Sequence, residues 1–281
     1  MQRIALSVGT IEYEEEGHGA PVVLLHGPLM TPTLWDRVLP LLPAGFRYIR
    51  PQLPLGAHRL PMPADADLSM GGLTRLLAEF LEALDLTDVT LVNTDWGGGL
   101  FLTAQGLDER VGRMIILPCE AFDNFPPGLP GRVLDIACRV PGGLVLGARQ
   151  LRVGWLRRMP FFFGQMVKHG VDDELTKAWT APLLADPRVR RDLRRYSRSP
   201  SDRRALIAQT EALSGFHGDV LILWSPENTV MPPAHGRRLA ELIPRARLVE
   251  IDDAYVLPML DQPEVVAREM GSFLTAARVV S

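Results

Sequence analysis

Short apolar runs separated by glycine-, proline- and acid-rich breaks dominate the first half of the chain, a pattern of strands and turns punctuated by one clear helix. Ile4 to Val8 and Ile11 to Glu15 flank Gly9-Thr10 and predict a leading hairpin. Tyr48 to Arg50 predicts a short strand, and Pro51 to Pro63 a proline-rich loop. Leu73 to Leu84 carries apolar residues at helical spacing, and Asp85 to Asp88 turns the chain into the next strand. Ile115 to Leu117 predicts the strand after that. From about Glu120 to Gly215 the pattern changes: prolines and glycines interrupt short helical runs, and arginines cluster between Arg188 and Arg198. Strand and helix alternation resumes at Val220 and runs to Ala276, with no internal repeat or low-complexity tract.

The most informative stretch is Leu91-Val92-Asn93-Thr94-Asp95-Trp96-Gly97-Gly98-Gly99. An apolar strand ends in one polar residue and small residues open a helix at once, which is the strand-turn-helix context of a nucleophile elbow. Aspartate stands at the tip where serine is usual. Leu68-Ser69-Met70-Gly71-Gly72 imitates an esterase motif, but no apolar strand precedes it and Asp67 stands where the first glycine belongs. Ser69 therefore reads as the cap of the following helix. No P-loop, dinucleotide fingerprint or zinc-ligand spacing is present.

On these residues the chain resembles the α/β-hydrolase superfamily, nearly from end to end. Val22 to Leu25 with His26-Gly27 looks like the family's first buried strand and oxyanion loop. Val220 to Trp224 and Arg247 to Ile251 look like its last two parallel strands, and Leu257-Pro258-Met259-Leu260-Asp261-Gln262-Pro263 like the segment after the catalytic histidine. The resemblance implies an α/β fold, a doubly wound and mostly parallel sheet with an inserted helical cap. Residues 1–119 and 216–281 would form the core and 120–215 the cap. Asp95-Trp96-Gly97 is most similar to the haloalkane dehalogenase and epoxide hydrolase branch, in which an aspartate attacks an alkyl carbon.

Several positions depart from that branch. Alignment through Leu257-Pro258 puts Val256 where the histidine belongs, with Tyr255 before it. Valine accepts no proton, so an alkyl-enzyme ester would have no histidine to activate water. Asn228 occupies the usual acid position and carries no charge; Pro118-Cys119-Glu120-Ala121 fits a relocated acid, Glu120. Pro28 follows His26-Gly27, where the family takes a backbone N–H or, in many dehalogenases, a halide-binding asparagine; proline supplies neither. Trp96 is expected to line the pocket and to offer its N–H, while His26 is expected to fix its loop. Tyr196, the only tyrosine of the predicted cap, is a candidate pocket residue, although its arginine-rich helix is expected to face water.

What remains is a carboxylate pair, Asp95 and Glu120, on adjacent strand ends. Two close acids without a histidine split their pKa values, one ionised and one neutral, and such a pair passes protons in and out. This predicts acid and base chemistry on a small hydrophobic organic substrate: isomerisation, cyclisation or epoxide opening. Two alternatives stand beside it: an epoxide- or haloalkane-type hydrolase with a substitute base, and a non-catalytic ligand-binding member of the fold. The net charge of −3 gives no argument for nucleic acid or an anionic membrane. No stretch reaches the ~20 apolar residues of a membrane span, and Met1-Gln2-Arg3-Ile4 begins no signal peptide, so a cytoplasmic protein is expected. Cys119 and Cys138 read as reduced and buried. No metal or cofactor is expected, and oligomeric state is open.

Overall fold

Strand formation begins at a tight antiparallel pair. The structure, a computed structural model, describes residues 1–199 and 202–276. Strands β1 (Gln2–Leu6) and β2 (Gly9–Gly17) pair with Leu6 opposite Gly9. The turn is therefore Ser7-Val8, two residues earlier than the sequence pattern places it. Gly9, at φ +135°, is the residue that leaves the turn.

Strands β3 (Ala20–Leu24), β4 (Phe46–Pro51), β5 (Val89–Asp95), β6 (Val111–Cys119), β7 (Asp219–Trp224) and β8 (Ala246–Glu250) complete one sheet of order β1-β2-β4-β3-β5-β6-β7-β8. All pairings from β4 to β8 are parallel. Strands covered on both faces become continuous apolar runs, which explains why the central ones show no polar alternation. Every residue of β5 is buried.

The strand order reverses between β3 and β5, and such a switch point opens a crevice at the carboxyl ends of the strands. The loops leaving β3 and β5 carry His26-Gly27-Pro28 and Asp95-Trp96. Before β5 runs α1 (Met70–Ala83), whose Ser69 side chain accepts the Gly72 N–H at its start. After β5 the chain makes a 3-10 helix, Gly97–Gln105, rather than an α-helix. Three successive glycines, the poorest helix formers after proline, open it.

Between β6 and β7 the described chain carries helices and no strand: α2 (Gly128–Arg139), α3 (Gly143–Leu151), α4 (Gly154–Arg157), α5 (Asp173–Ala185), α6 (Pro187–Ser197) and α7 (Arg203–Glu211). Helices α8 (Pro233–Leu242), α9 (Pro258–Asp261) and α10 (Pro263–Thr275) follow in the last third. No described helix is long and apolar enough to cross a membrane.

Helix α6 corrects an expectation. Arg188 is exposed and Arg190, Arg191, Arg194 and Arg195 are half-buried, while Val189, Asp192, Leu193 and Tyr196 recur at i, i+3, i+4 and i+7 and are buried. Asp192 Oδ2 accepts from His58 Nε2 (3.2 Å) and from the Met62 N–H (2.8 Å), while Oδ1 accepts from Arg191. His58 Nδ1 accepts the Gly56 N–H, which places its proton on Nε2. This buried knot ties α6 to the loop after β4. Asp192→Ala leaves two buried donors unpaired and is expected to destabilise the protein by about 3 kcal/mol. Urea unfolding of the variant measures it; an unchanged midpoint would assign α6 no anchor here.

Candidate active site

The site is assembled from the ends of β5 and β6. Asp95 sits at φ +55°, a region costly for a side chain other than glycine. The Trp96 N–H donates back to Thr94 O at 2.6 Å, closing a three-residue turn around Asp95. The turn lifts the carboxylate out of the strand. A Cβ on Gly27 would lie 1.9 Å from Asp95 Oδ2, so the β3 loop reaches the carboxylate only because that residue is glycine.

Glu120 is brought alongside by an irregularity in the sheet. Asn93 pairs with Ile116 but Asp95 with Cys119, so Thr94 faces two residues, Leu117 and Pro118. Such a bulge accommodates a proline, which has no N–H for the ladder. One residue later the Glu120 N–H donates to Asp95 O at 3.0 Å. Glu120 Oε2 accepts from Tyr196 Oη at 3.1 Å and from the Gly97 N–H at 3.4 Å. A Cβ on Gly97 would lie 2.0 Å from Glu120 O, which is why glycine opens the segment after the elbow.

Asp95, Glu120 and Tyr196 meet at a cavity of about 360 Å³. Pro28, Leu29 and Met30 come from the core; the aromatic and aliphatic residues of Phe125–Pro127, α2, α3 and Phe161–Phe163 close it from above. Asp95, Glu120, Gln150, Tyr196 and Ser197 are its only polar lining side chains, and no histidine lines it among the described residues. The Asp95 carboxylate has no hydrogen-bond partner among them. Burial alone pushes its pKa up to about 7. Burial, then the charge of Asp95, pushes Glu120 well above the ordinary carboxylate range, against the opposing pull of the Gly97 N–H and Tyr196 hydroxyl. The Tyr196 phenol is raised by burial and by Glu120. Near neutral pH Glu120 therefore holds a proton and Asp95 is the partner that ionises.

Other expected site residues fall elsewhere. Trp96 is fully buried but turned from the cavity, its indole N–H on Met70 Sδ at 3.1 Å, and its backbone N–H is spent in the turn. Asn228 lies on the loop after β7, where its side-chain oxygen accepts the Val230 and Met231 N–H groups. That is a loop-forming role. Val256 is buried in the core, not in the cavity wall. His26 Nδ1 faces Gly27 O and its Nε2 accepts the Leu53 N–H; burial lowers its pKa to about 4, so the ring is a neutral spacer between two loops. Gly27 touches Asp95, and Pro28 lines the cavity without an N–H to offer. The neighbouring Leu29 N–H is taken by Leu55 O. The described residues hold no cluster of metal-ligating side chains.

Sequence reasoning missed the Tyr196–Glu120 contact. The buried stripe of α6 was its signal, obscured by six arginines within Arg188 to Arg198.

A parallel sheet with an aspartate elbow at its switch point, covered by helices inserted between β6 and β7, defines an α/β-hydrolase. Residues 22–269 match the alpha/beta hydrolase family, and the chain belongs to it. A haloalkane dehalogenase of Mesorhizobium japonicum is 34% identical over 146 residues, covering 50% of this chain and 47% of that protein. One from Psychrobacter cryohalolentis is 38% identical over 105 residues, 35% of this chain and 34% of that one. The chain thus spans about half the length, or less, of the curated relatives it matches. Among solved structures, an ancestral haloalkane dehalogenase superposes with TM-score 0.76 at 22% identity, covering 98% of both chains. A meta-cleavage product hydrolase from Pseudomonas fluorescens IP01 gives 0.76 at 22%, over 98% of this chain and 97% of the other. At such identity these two establish the fold alone.

Proposed function

We propose that this protein hydrolyses hydrophobic epoxides, with Asp95 attacking carbon and Glu120 acting first as acid and then as the base that replaces the family's histidine. The observation that carries this reading is the burial of both carboxyls in one apolar cavity whose wall has no histidine. Likeness to proteins named haloalkane dehalogenase supports attack at an alkyl carbon.

In the first step an Asp95 oxygen bonds to a ring carbon, the ring C–O bond breaks, and the leaving oxygen takes the Glu120 proton. The ester so formed has lost the Asp95 charge, one of the two causes that hold Glu120 protonated. Glu120, now a carboxylate, takes a proton from water as that water adds to the ester carbonyl. Collapse releases the diol, restores the Asp95 carboxylate and leaves Glu120 protonated. Retaining glycosidases use the same exchange of acid and base roles. The second step is the slow one, because the Leu29 and Trp96 N–H groups are engaged and Pro28 has none.

A haloalkane offers no oxygen for Glu120 to protonate, so Glu120 stays neutral and the alkyl ester persists. Intact-protein mass spectrometry is expected to show one alkyl group added by a haloalkane, absent from Asp95→Ala, while an epoxide of the same chain length turns over. An epoxide left unconsumed would remove the proposal.

The pH profile follows from the same pair. The value of kcat/KM is expected to rise as Asp95 ionises around 7 and to fall at higher pH as Glu120 loses its proton. The Tyr196 hydroxyl pulls Glu120 downward, so Tyr196→Phe is expected to move only the falling limb, to higher pH. A shift of both limbs would separate Tyr196 from Glu120.

A second reading has Asp95 deprotonate a hydroxyl of the substrate itself, which opens the ring to give a cyclic ether. The scarcity of polar side chains to hold a water in the cavity favours it. Its product, not a diol, would identify it.

A further inference from the structure

Among the described residues, seven of the nine exposed large apolar side chains lie between Leu129 and Met159; the other two are Met1 and Leu41. On α2 the exposed positions Leu129, Arg132, Ile136 and Arg139 form a single stripe at helical spacing. Leu146, Arg149 and Val153 continue it on α3 and beyond, and Trp155 on α4 is 69% exposed. Between Gly128 and Met159 exposed Arg132, Arg139, Arg149, Arg152 and Arg158 stand against Asp135 alone, a surface net of +4 in a chain whose net charge is −3; Arg157 is buried and paired with Asp173. Asp135 is already paired with Arg139, whereas Arg132, Arg149 and Arg158 have no ion pair among the described residues. The average charge that argues against an anionic surface conceals this local excess.

We infer that the outer face of α2, α3 and α4 docks on an anionic phospholipid surface and draws its hydrophobic ligand from it. Arginines interleaved with apolar side chains and an outward tryptophan are the composition of a helix face that lies in a lipid headgroup layer. The face is continuous with the cavity: Ile136, Val140 and Leu146 are exposed on it and also line the cavity, so the mouth opens where the lipid would lie. A ligand suited to so apolar a cavity concentrates in bilayers. Pairing of this face with its own copy would set arginines against arginines, which disfavours a two-fold dimer here. Docking rests on the exposed face and not on the chemistry assigned to Asp95.

Trp155 makes the test specific, since Trp35, Trp96, Trp179 and Trp224 are buried. The full chain is mixed with vesicles of phosphatidylcholine alone or with phosphatidylglycerol, and Trp155 emission and co-sedimentation are followed. Expected are a blue shift and sedimentation with the phosphatidylglycerol vesicles, weakened by added salt. Trp155→Ser should lose the shift, and Arg149→Glu with Arg158→Glu should weaken binding by about tenfold or more. Asp95→Asn should bind as the parent does. Absence of sedimentation, binding unaffected by both surface variants, or a concentration-dependent dimer abolished by Trp155→Ser would each overturn the inference.

Discussion

Asp95→Asn is expected to lose roughly 10⁴-fold or more in turnover while becoming more stable than the parent. The loss follows because an amide neither attacks carbon nor takes a proton. The gain follows from linkage. Burial raises the Asp95 pKa from 3.8 to about 7. Below the unfolded value both states hold the proton and nothing is lost; as pH rises towards 7 the unfolded chain ionises freely while the folded one resists, and stability falls. A shift of about three units corresponds to at most ~4 kcal/mol near neutral pH, and the amide removes it. A gain of about 2–4 kcal/mol is expected, and at ~2–4 °C per kcal/mol a clear rise in melting temperature. The gain should shrink to about half a kcal/mol near pH 4 and vanish below about pH 3, where both states are protonated. Thermal unfolding at two pH values reads this directly, and a variant less stable at pH 7 would show that the carboxylate supports the fold.

Glu120→Gln is the second large effect. In the proposed mechanism it removes the proton donor of ring opening, expected to slow consumption of an epoxide by about 10²–10⁴-fold. In the same mechanism it removes the base of the second step, so whatever ester forms is expected to stay on Asp95. Rapid quenching and intact-mass measurement should find most of the enzyme modified at steady state. Wild-type-like turnover without an adduct would deny Glu120 both roles. Tyr196 and the Gly97 N–H remain to hold the amide, so the variant should fold normally.

The features closest to the chemistry were the most legible. Asp95 at the end of an apolar strand, followed by glycines, could only sit on a tight turn, and Glu120 one residue beyond Pro118-Cys119 had to emerge beside it. Strand register carries that information locally. Trp96 was not legible in the same way: backbone position put it at the pocket, but its side chain rotates into the core, where Met70 Sδ meets the indole N–H. Tyr196 was a candidate for the pocket and does line it, but its contact with Glu120 was hidden for a different reason. Its helix is a mixed surface, and its burial depends on Asp192 meeting His58 and Met62, residues more than 120 positions away in sequence. The hairpin turn slipped by two residues because Ser7-Val8 and Gly9-Thr10 are both acceptable turns, and Gly9 settles the choice by its backbone angle.

The central claim is that Asp95 itself bonds to the substrate. A single turnover of excess enzyme with a lipophilic epoxide in heavy-oxygen water tests it most directly. The account predicts an unlabelled diol and one heavy oxygen left in the peptide containing Asp95, because the diol's new oxygen comes from the carboxylate. Label in the diol of that first turnover, with none at Asp95, would show that water attacks directly and would contradict the account.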